Sequence, residues 1–133
     1  MEHVQKCILI VDDDPDIFEA ARAVLESAGY KVMWATNGED GIRTARESKP
    51  DLIILDVMMR TFTEGFRVGY ELKKDPALKS IPVIFLSAIA EKSGMRFSKE
   101  EDQEYLPGEL FLEKPFDPED LLKKVSELIG KRK

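Results

Sequence analysis

The sequence predicts an α/β fold in which a five-stranded parallel sheet carries helices on both faces. Two features of the chain support this prediction. Amphipathic segments with helix start and stop signals alternate with short apolar runs, and strict alternation favours parallel strands joined by right-handed crossovers. The runs are rich in branched side chains, as expected of strands buried on both faces. They are Cys7–Val11, Val32–Thr36, Leu52–Asp56, Pro82–Ser87 and Leu110–Glu113.

The first predicted helix has clear boundary residues. Asp14 is a good N-cap, Pro15 suits the first helical position, and Gly29 is a typical stop signal after a helix. Apolar residues recur inside it at helical spacing and are predicted to face the sheet. They are Ile17, Ala21, Val24, Leu25 and Ala28.

Two further helices are predicted in the middle of the chain. Asn37 can cap a second helix that continues through Ile42 and Ala45. A third helix should begin at about Glu64 and end before Pro76, because proline forbids continuation. Its predicted members include Phe66, Tyr70 and Leu72.

The last predicted helix is the best delimited. Asp117 is its N-cap, Pro118 its first residue and Asp120 an acid near its N-terminus, and Gly130 ends it. The predicted buried stripe is Leu121, Leu122, Val125, Leu128 and Ile129.

The segment Ile89–Glu109 has a weaker pattern. Ser98 and Glu101 form a candidate capping box, which predicts a short helix that stops at Pro107 and Gly108.

Composition restricts the class of protein. A chain of 133 residues with 43% hydrophobic and 35% charged residues is typical of one globular domain, taken here as residues 1–133. The net charge of -6 argues against direct binding to nucleic acid or to an anionic membrane. Glu2 and Asp12 flank the first apolar run, which is unlike a signal peptide, so we expect a cytoplasmic protein. Cys7, the single cysteine, is predicted to be a small buried hydrophobic residue.

Chemically active side chains stand where the predicted strands end. In an open parallel sheet, ligands bind beyond the carboxyl ends of the strands. Carboxylates crowded there repel one another unless a cation joins them, and an all-oxygen site without His or Cys suits Mg²⁺. A hydroxyl and an ammonium group would then face the oxygens of a transferring phosphoryl group. The strand-end residues are Asp12, Asp13, Asp56, Ser87 and Lys114.

Four blocks of sequence resemble, in order, the signature blocks of bacterial response-regulator receiver domains of the CheY-like superfamily. They are ILIVDDDPDI, DLIILDVMM, PVIFLSA and FLEKPF, and together they span nearly the whole chain. The resemblance implies a stand-alone receiver with the doubly wound, flavodoxin-like strand order 2-1-3-4-5. It also implies a phosphorylation switch in a two-component phosphorelay rather than a conventional enzyme.

The resemblance implies roles for the acidic residues. Asp56 would accept the phosphoryl group, and Asp12 and Asp13 would form the acid pair. The direct protein ligands of Mg²⁺ would be Asp13, Asp56 and the main-chain carbonyl of Met58, with Asp12 acting through water.

The later blocks imply the switch. Ser87 would supply the switch hydroxyl, Lys114 would pair with the phosphate, and Phe111 would be the aromatic residue that turns inward. The Lys114–Pro115 peptide is expected to be cis. A sensor histidine kinase or a phosphotransfer protein would donate the phosphoryl group, and the output would be altered affinity for an effector protein or for a second copy of the chain.

Three departures from the family pattern bear on the interpretation. The loop from Arg60 to Gly65 lacks the usual proline, and the stretch from Ser87 to Lys114 is longer than usual. Met58 and Ile89 are apolar at positions that flank the phosphoryl group in receivers. We therefore expect water to be excluded and the phosphorylated state to be long-lived.

Two alternatives remain open from the sequence. A haloacid-dehalogenase-like phosphatase could use Asp12 and Asp14 as a D-x-D motif, although this leaves Asp56 without a task. A receiver-fold interaction module could act without phosphorylation, which the altered loops would allow and the intact site disfavours.

Overall fold

A computed structural model describes residues 5–56, 64–87, 110–113 and 117–130 of the chain. From residue 7 to residue 87 the strands and helices alternate as the sequence predicts, and the described part after residue 109 is a strand followed by a helix. The elements are β1 (Cys7–Val11), α1 (Pro15–Ser27), β2 (Lys31–Ala35), α2 (Gly38–Ser48), β3 (Leu52–Asp56), α3 (Glu64–Lys74), β4 (Val83–Ser87), β5 (Leu110–Glu113) and α4 (Pro118–Gly130).

The strands form one parallel sheet in the order β2-β1-β3-β4-β5. This confirms the predicted architecture and strand order. β2 lies one residue earlier than predicted, and β4 begins one residue later, at Val83. The predicted helix within Ile89–Glu109, the loop residues 60–63 and the Lys114–Pro115 peptide lie outside the described residues.

Two apolar layers cover the sheet, one on each face. α1 and α4 pack on one face through two sets of buried side chains: Phe18, Ala21 and Leu25, and Leu121, Val125 and Ile129. α2 and α3 pack on the other face through Ala45, Val68 and Leu72. Side chains of β1 alternate between these layers, because successive residues of a strand point to opposite faces. Ile8 and Ile10 face α1, whereas Leu9 and Val11 face α2.

α1 begins and ends as predicted, but two residues of its apolar face differ. Asp14 Oδ1 accepts a hydrogen bond from the Asp16 amide, and Gly29 adopts the left-handed conformation with φ +97°. Phe18 is buried, although it was not among the predicted inward residues. Ala28 was predicted to face inward and is exposed, because the helix ends at Ser27 and helical spacing no longer applies.

The other predicted caps are confirmed. Asn37 Oδ1 accepts from the Asp40 amide at the start of α2, and Asp117 Oδ1 accepts from the Glu119 amide at the start of α4. α3 ends at Lys74, before Pro76. Every helix in the described part of the chain is too short or too polar to cross a membrane.

Cys7 was predicted to be buried and is only partly so. It is the first residue of β1, where the strand enters the sheet from the surface. Partial burial nevertheless raises the pKa of its thiol above the ordinary value, because desolvation disfavours the thiolate.

Candidate functional site

The candidate site lies where β1 and β3 end side by side. The two strands are neighbours, and Val11 pairs with Leu55 in their register. The next residues, Asp12 and Asp56, are therefore adjacent at the carboxyl edge of the sheet. Carboxylate oxygens of Asp12, Asp13 and Asp56 all lie within 4.8 Å of one another. The structure thus brings together the three acids that the sequence placed at strand ends.

Main-chain hydrogen bonds hold the segment that carries the first two acids. The Asp12 amide donates to the Ala35 carbonyl at 3.0 Å, which extends the pairing of β1 with β2 by one residue. The Asp14 amide donates to Asp12 Oδ1 at 2.9 Å, and Asp14 in turn caps α1. Asp13 therefore lies between a strand end and a helix start that are both fixed.

The three acids differ in exposure. Asp12 and Asp56 are 0% and 3% exposed, whereas Asp13 is exposed. Like charges held this close repel strongly, and more so where water is excluded. A small divalent cation would relieve this repulsion, and it could reach the two buried carboxylates from the side on which Asp13 lies.

The donor set fits Mg²⁺. Three carboxylates supply hard oxygen ligands, and Mg²⁺ characteristically binds through a few carboxylates while keeping several waters. The cluster contains neither imidazole nor thiolate, the ligands that would favour zinc.

For two of the remaining predicted site residues, Ser87 and Phe111, the structure describes the backbone only. Ser87 is the last residue of β4, beside the end of β3, and Phe111 lies in β5 opposite Phe85. The side chains of Ser87 and Phe111 are not among those described. Met58 and Lys114 lie outside the described residues, and their roles stay predictions.

One residue beside the site was missed by the sequence analysis. The indole N–H of Trp34, in β2, donates to the main-chain carbonyl of Asp12 at 2.8 Å. No motif marks Trp34, because its proximity to Asp12 results from strand pairing between distant parts of the chain.

The geometry also bears on the phosphatase alternative. That alternative requires Asp14 to act with Asp12 as a catalytic pair. Instead, the Asp14 side chain caps α1, and the acid that joins Asp12 and Asp13 is Asp56.

Two known proteins from different bacteria are similar in sequence to this chain. Protein PilH of Pseudomonas aeruginosa is 34% identical over 123 residues, which cover 92% of this chain and 97% of PilH. The DNA-binding transcriptional regulator RpaA of Synechocystis is 37% identical over 123 residues. That match covers 92% of this chain and 48% of RpaA, so the chain spans about half the length of this relative.

Solved structures of receiver domains are similar to the whole fold. The receiver domain of a sensor histidine kinase from Pseudomonas aeruginosa has a TM-score of 0.80 and 25% identity, with 96% of this chain and 99% of that chain covered. Magnesium is coordinated in the active-site cleft of that protein. The chemotaxis response regulator CheY4 of Vibrio cholerae has a TM-score of 0.79 and 29% identity, with 94% of this chain and 99% of that chain covered.

The family model gives the assignment. The description "response regulator receiver domain" applies to residues 8–126, which include β2 to β5, all of β1 except Cys7, and most of α4. With the sheet order and the acidic cluster, this match shows that the chain belongs to the receiver domains of two-component response regulators.

Proposed function

We propose that this chain is a phosphorylation switch in which Asp56 accepts a phosphoryl group in a Mg²⁺-dependent reaction. The observation that carries the proposal is the cluster of three carboxylates, with oxygens within 4.8 Å of one another, at the ends of adjacent strands. Asp56 ends the central strand of the sheet, which pairs with β1 on one side and with β4 on the other, and Asp56 itself pairs with Leu86 of β4. A nucleophile on a rigid strand end keeps a fixed line of attack.

The three acids would bind Mg²⁺ in different ways, according to their positions. Asp13 and Asp56 would bind Mg²⁺ directly together with the main-chain carbonyl of Met58, and Asp12 would bind it through water. When bound, Mg²⁺ neutralises charge on the phosphoryl oxygens. Asp12 is the most buried of the three, and its Oδ1 also accepts from the Asp14 amide, which leaves it suited to an indirect role.

The transfer itself is a displacement at phosphorus. A carboxylate oxygen of Asp56 attacks the phosphorus of a phosphohistidine, the P–N bond breaks, and the imidazole leaves with the electron pair. The product on this chain is an aspartyl phosphate. Lys114 would pair with its oxygens and Ser87 would donate a hydrogen bond to it, after which Phe111 would turn inward.

The partners follow from the family. Receiver domains accept phosphate from histidine kinases, so we propose a sensor histidine kinase or a phosphotransfer protein as donor and an effector protein, or a second copy of the chain, as the target. We propose that residues 1–133 form one receiver domain, which acts in the cytoplasm without direct contact to nucleic acid or membrane. Coverage of 97% of PilH supports the single-domain part of this proposal.

Met58 and Ile89 would make the aspartyl phosphate long-lived. Both side chains are apolar, and hydrolysis of the acyl phosphate requires a water molecule in line with the breaking bond. The decay of phosphorylated protein in the presence of Mg²⁺ measures this directly. A half-life of seconds would contradict the proposal.

The first experiment is intact-mass spectrometry after incubation with Mg²⁺ and acetyl phosphate. Wild type should gain the mass of one phosphoryl group, and Asp56→Asn should gain none. Asp75→Asn is a matched control, because Asp75 follows the C-terminus of α3 and lies at the opposite edge of the sheet from Asp56. This variant should be phosphorylated like wild type.

Other outcomes separate the alternatives. If wild type gains no adduct and does not bind beryllofluoride, the switch proposal fails and a phosphorylation-independent interaction module is favoured. Continuous release of phosphate that depends on Asp12 would favour the phosphatase.

A further inference from the structure

The carbonyl of the Asp12–Asp13 peptide is held by a side chain from the edge strand. The indole N–H of Trp34 donates to the Asp12 carbonyl oxygen at 2.8 Å. Resting on the proposed magnesium site, we propose that Trp34 is a positioning residue for that site: its indole N–H fixes the Asp12–Asp13 peptide and thereby the direction of the Asp13 carboxylate.

The peptide plane transmits this constraint. The carbonyl of Asp12 and the amide of Asp13 belong to one planar unit, so fixing the carbonyl fixes the bond that leads into Asp13. Two other contacts hold Asp12: its amide donates to the Ala35 carbonyl, and its Oδ1 accepts from the Asp14 amide. Trp34 therefore supplies a contact that restrains the rotation of the peptide after Asp12.

Asp13 is the acid that most needs this support. Its side chain is exposed, whereas Asp12 and Asp56 are surrounded by protein. Packing restrains an exposed carboxylate less, so its direction depends more on where the backbone places its Cα–Cβ bond. Partners that orient a metal ligand from behind commonly change metal affinity without touching the metal.

Trp34 is itself rigidly placed. Its ring stacks on the ring of Phe18, with centroids 4.3 Å apart and planes inclined by 4°. Phe18 is 8% exposed on the inner face of α1, and the Arg22 guanidinium lies 5.8 Å from the centroid of its ring. Trp34 remains 39% exposed, but one face is fixed against α1. The indole N–H is thus preorganised toward Asp12 by contacts unrelated to the acids.

The experiment uses the fact that Trp34 is the single tryptophan of the chain. Biosynthetic replacement of tryptophan by its benzothiophene analogue substitutes sulfur for the N–H and keeps the shape of the ring. The dissociation constant for Mg²⁺ is then measured by calorimetry well below the unfolding temperature. We expect it to rise about threefold to fivefold, because a hydrogen bond of ordinary net strength no longer selects the competent backbone.

A second readout needs no metal. In the metal-free protein, the NMR signals of the Asp12 carbonyl carbon and the Asp13 amide nitrogen should move in the analogue-containing protein. Phe18→Leu is the matched variant, since it removes the stacking partner and keeps the indole N–H. It should lower the unfolding temperature and weaken Mg²⁺ binding by less than the analogue does, because the indole is less well held but its hydrogen bond to Asp12 can still form.

The outcomes are distinct. Weaker Mg²⁺ binding by the folded analogue protein, with shifted Asp13 signals, supports the positioning role. Unchanged Mg²⁺ affinity overturns it, even if thermal stability falls, because Trp34 would then be structural only. If wild type itself binds no Mg²⁺, the proposed function fails and this inference fails with it.

Discussion

Gly69 of α3 lies directly against the ring of Phe85 in β4. A Cβ added to Gly69 would stand 2.8 Å from Cζ and 3.1 Å from Cε1 of that ring. Phe85 is 0% exposed, so its ring cannot move aside into solvent. The absence of a side chain at position 69 therefore sets how closely α3 approaches the sheet.

We expect Gly69→Ala to lower the free energy of unfolding by up to about 2 kcal/mol, the cost of overpacking less the gain in helix propensity. Alanine in a helix would normally gain about 1 kcal/mol over glycine. Overpacking a filled core costs roughly 1–3 kcal/mol, and here the contact is with a fully buried ring. Urea denaturation of both proteins measures the difference.

A double variant isolates the contact. Phe85→Leu shortens the side chain that the new methyl group would meet, so adding Gly69→Ala in that background should be neutral or stabilising. A gain in stability from Gly69→Ala in the wild-type background would show that the ring yields more easily than its burial suggests.

The sign of the effect of Asp13→Asn on stability should depend on Mg²⁺. Without the metal, removing one of three neighbouring negative charges should raise the free energy of unfolding by about 0.5 kcal/mol, a value typical of partly screened charges. With saturating Mg²⁺, wild type should be the more stable, because a ligand that binds only the folded state adds stability. Denaturation in EDTA and in Mg²⁺ gives both values.

Asp16→Asn is the control for this reversal. Asp16 is exposed in the first turn of α1, a few residues from Asp13, but it is not part of the acidic cluster. Its replacement should lower stability slightly in both buffers, because an acid near a helix N-terminus is favourable. If Asp13→Asn instead lowered the free energy of unfolding slightly in both buffers, as expected for Asp16→Asn, the result would argue against a shared metal site.

Local signals explain which features of the fold were predictable. Asp14, Asn37 and Asp117 were identified as caps, because a cap depends only on its next few residues. The inward residues of α1 were less certain near its end: periodicity wrongly included Ala28, which lies beyond the last helical turn. Phe18 was missed although it lies at helical spacing from Ala21 and Leu25, with which it shares the buried layer.

The candidate site was predictable as far as the ends of strands define it. Asp12, Asp13 and Asp56 could be grouped because parallel strands end at one edge, and the structure confirms their proximity. Trp34 could not be grouped with them, since its contact with Asp12 depends on the pairing of β1 with β2 and on a stack with α1. Roles for Ser87 and Lys114 rest on their places at predicted strand ends and on the family resemblance, and they stay predictions.

Loss of the α1 cap should affect both stability and metal binding. Asp14→Ala removes the acceptor for the Asp16 amide and should cost about 1 kcal/mol. It should also weaken Mg²⁺ binding, because Asp14 anchors the chain directly after Asp13. Calorimetric titration with Mg²⁺ and urea denaturation test the two effects separately.

The α4 cap supplies the comparison. Asp117→Ala removes an equivalent acceptor, that of the Glu119 amide, and should cost a similar free energy without changing Mg²⁺ affinity. Asp14→Asn keeps a side-chain acceptor and should remain close to wild type in stability. Equal Mg²⁺ affinities for Asp14→Ala and Asp117→Ala would show that the α1 cap does not contribute to metal binding.

The Cys7 thiol should resist alkylation in the folded protein. Its pKa is raised above 9.0, chiefly by burial, with Lys31 opposing and Asp51 reinforcing the shift. The folded state therefore holds the thiol proton more tightly than the unfolded state does. The resulting stability is fully present below pH 9.0 and is lost as pH rises through the folded pKa.

Iodoacetamide at pH 9 should modify native protein more slowly than urea-unfolded protein, since the thiolate is the reactive form. Cys7→Val should show a smaller loss of stability at alkaline pH, and equal alkylation rates in the two states would contradict the raised pKa.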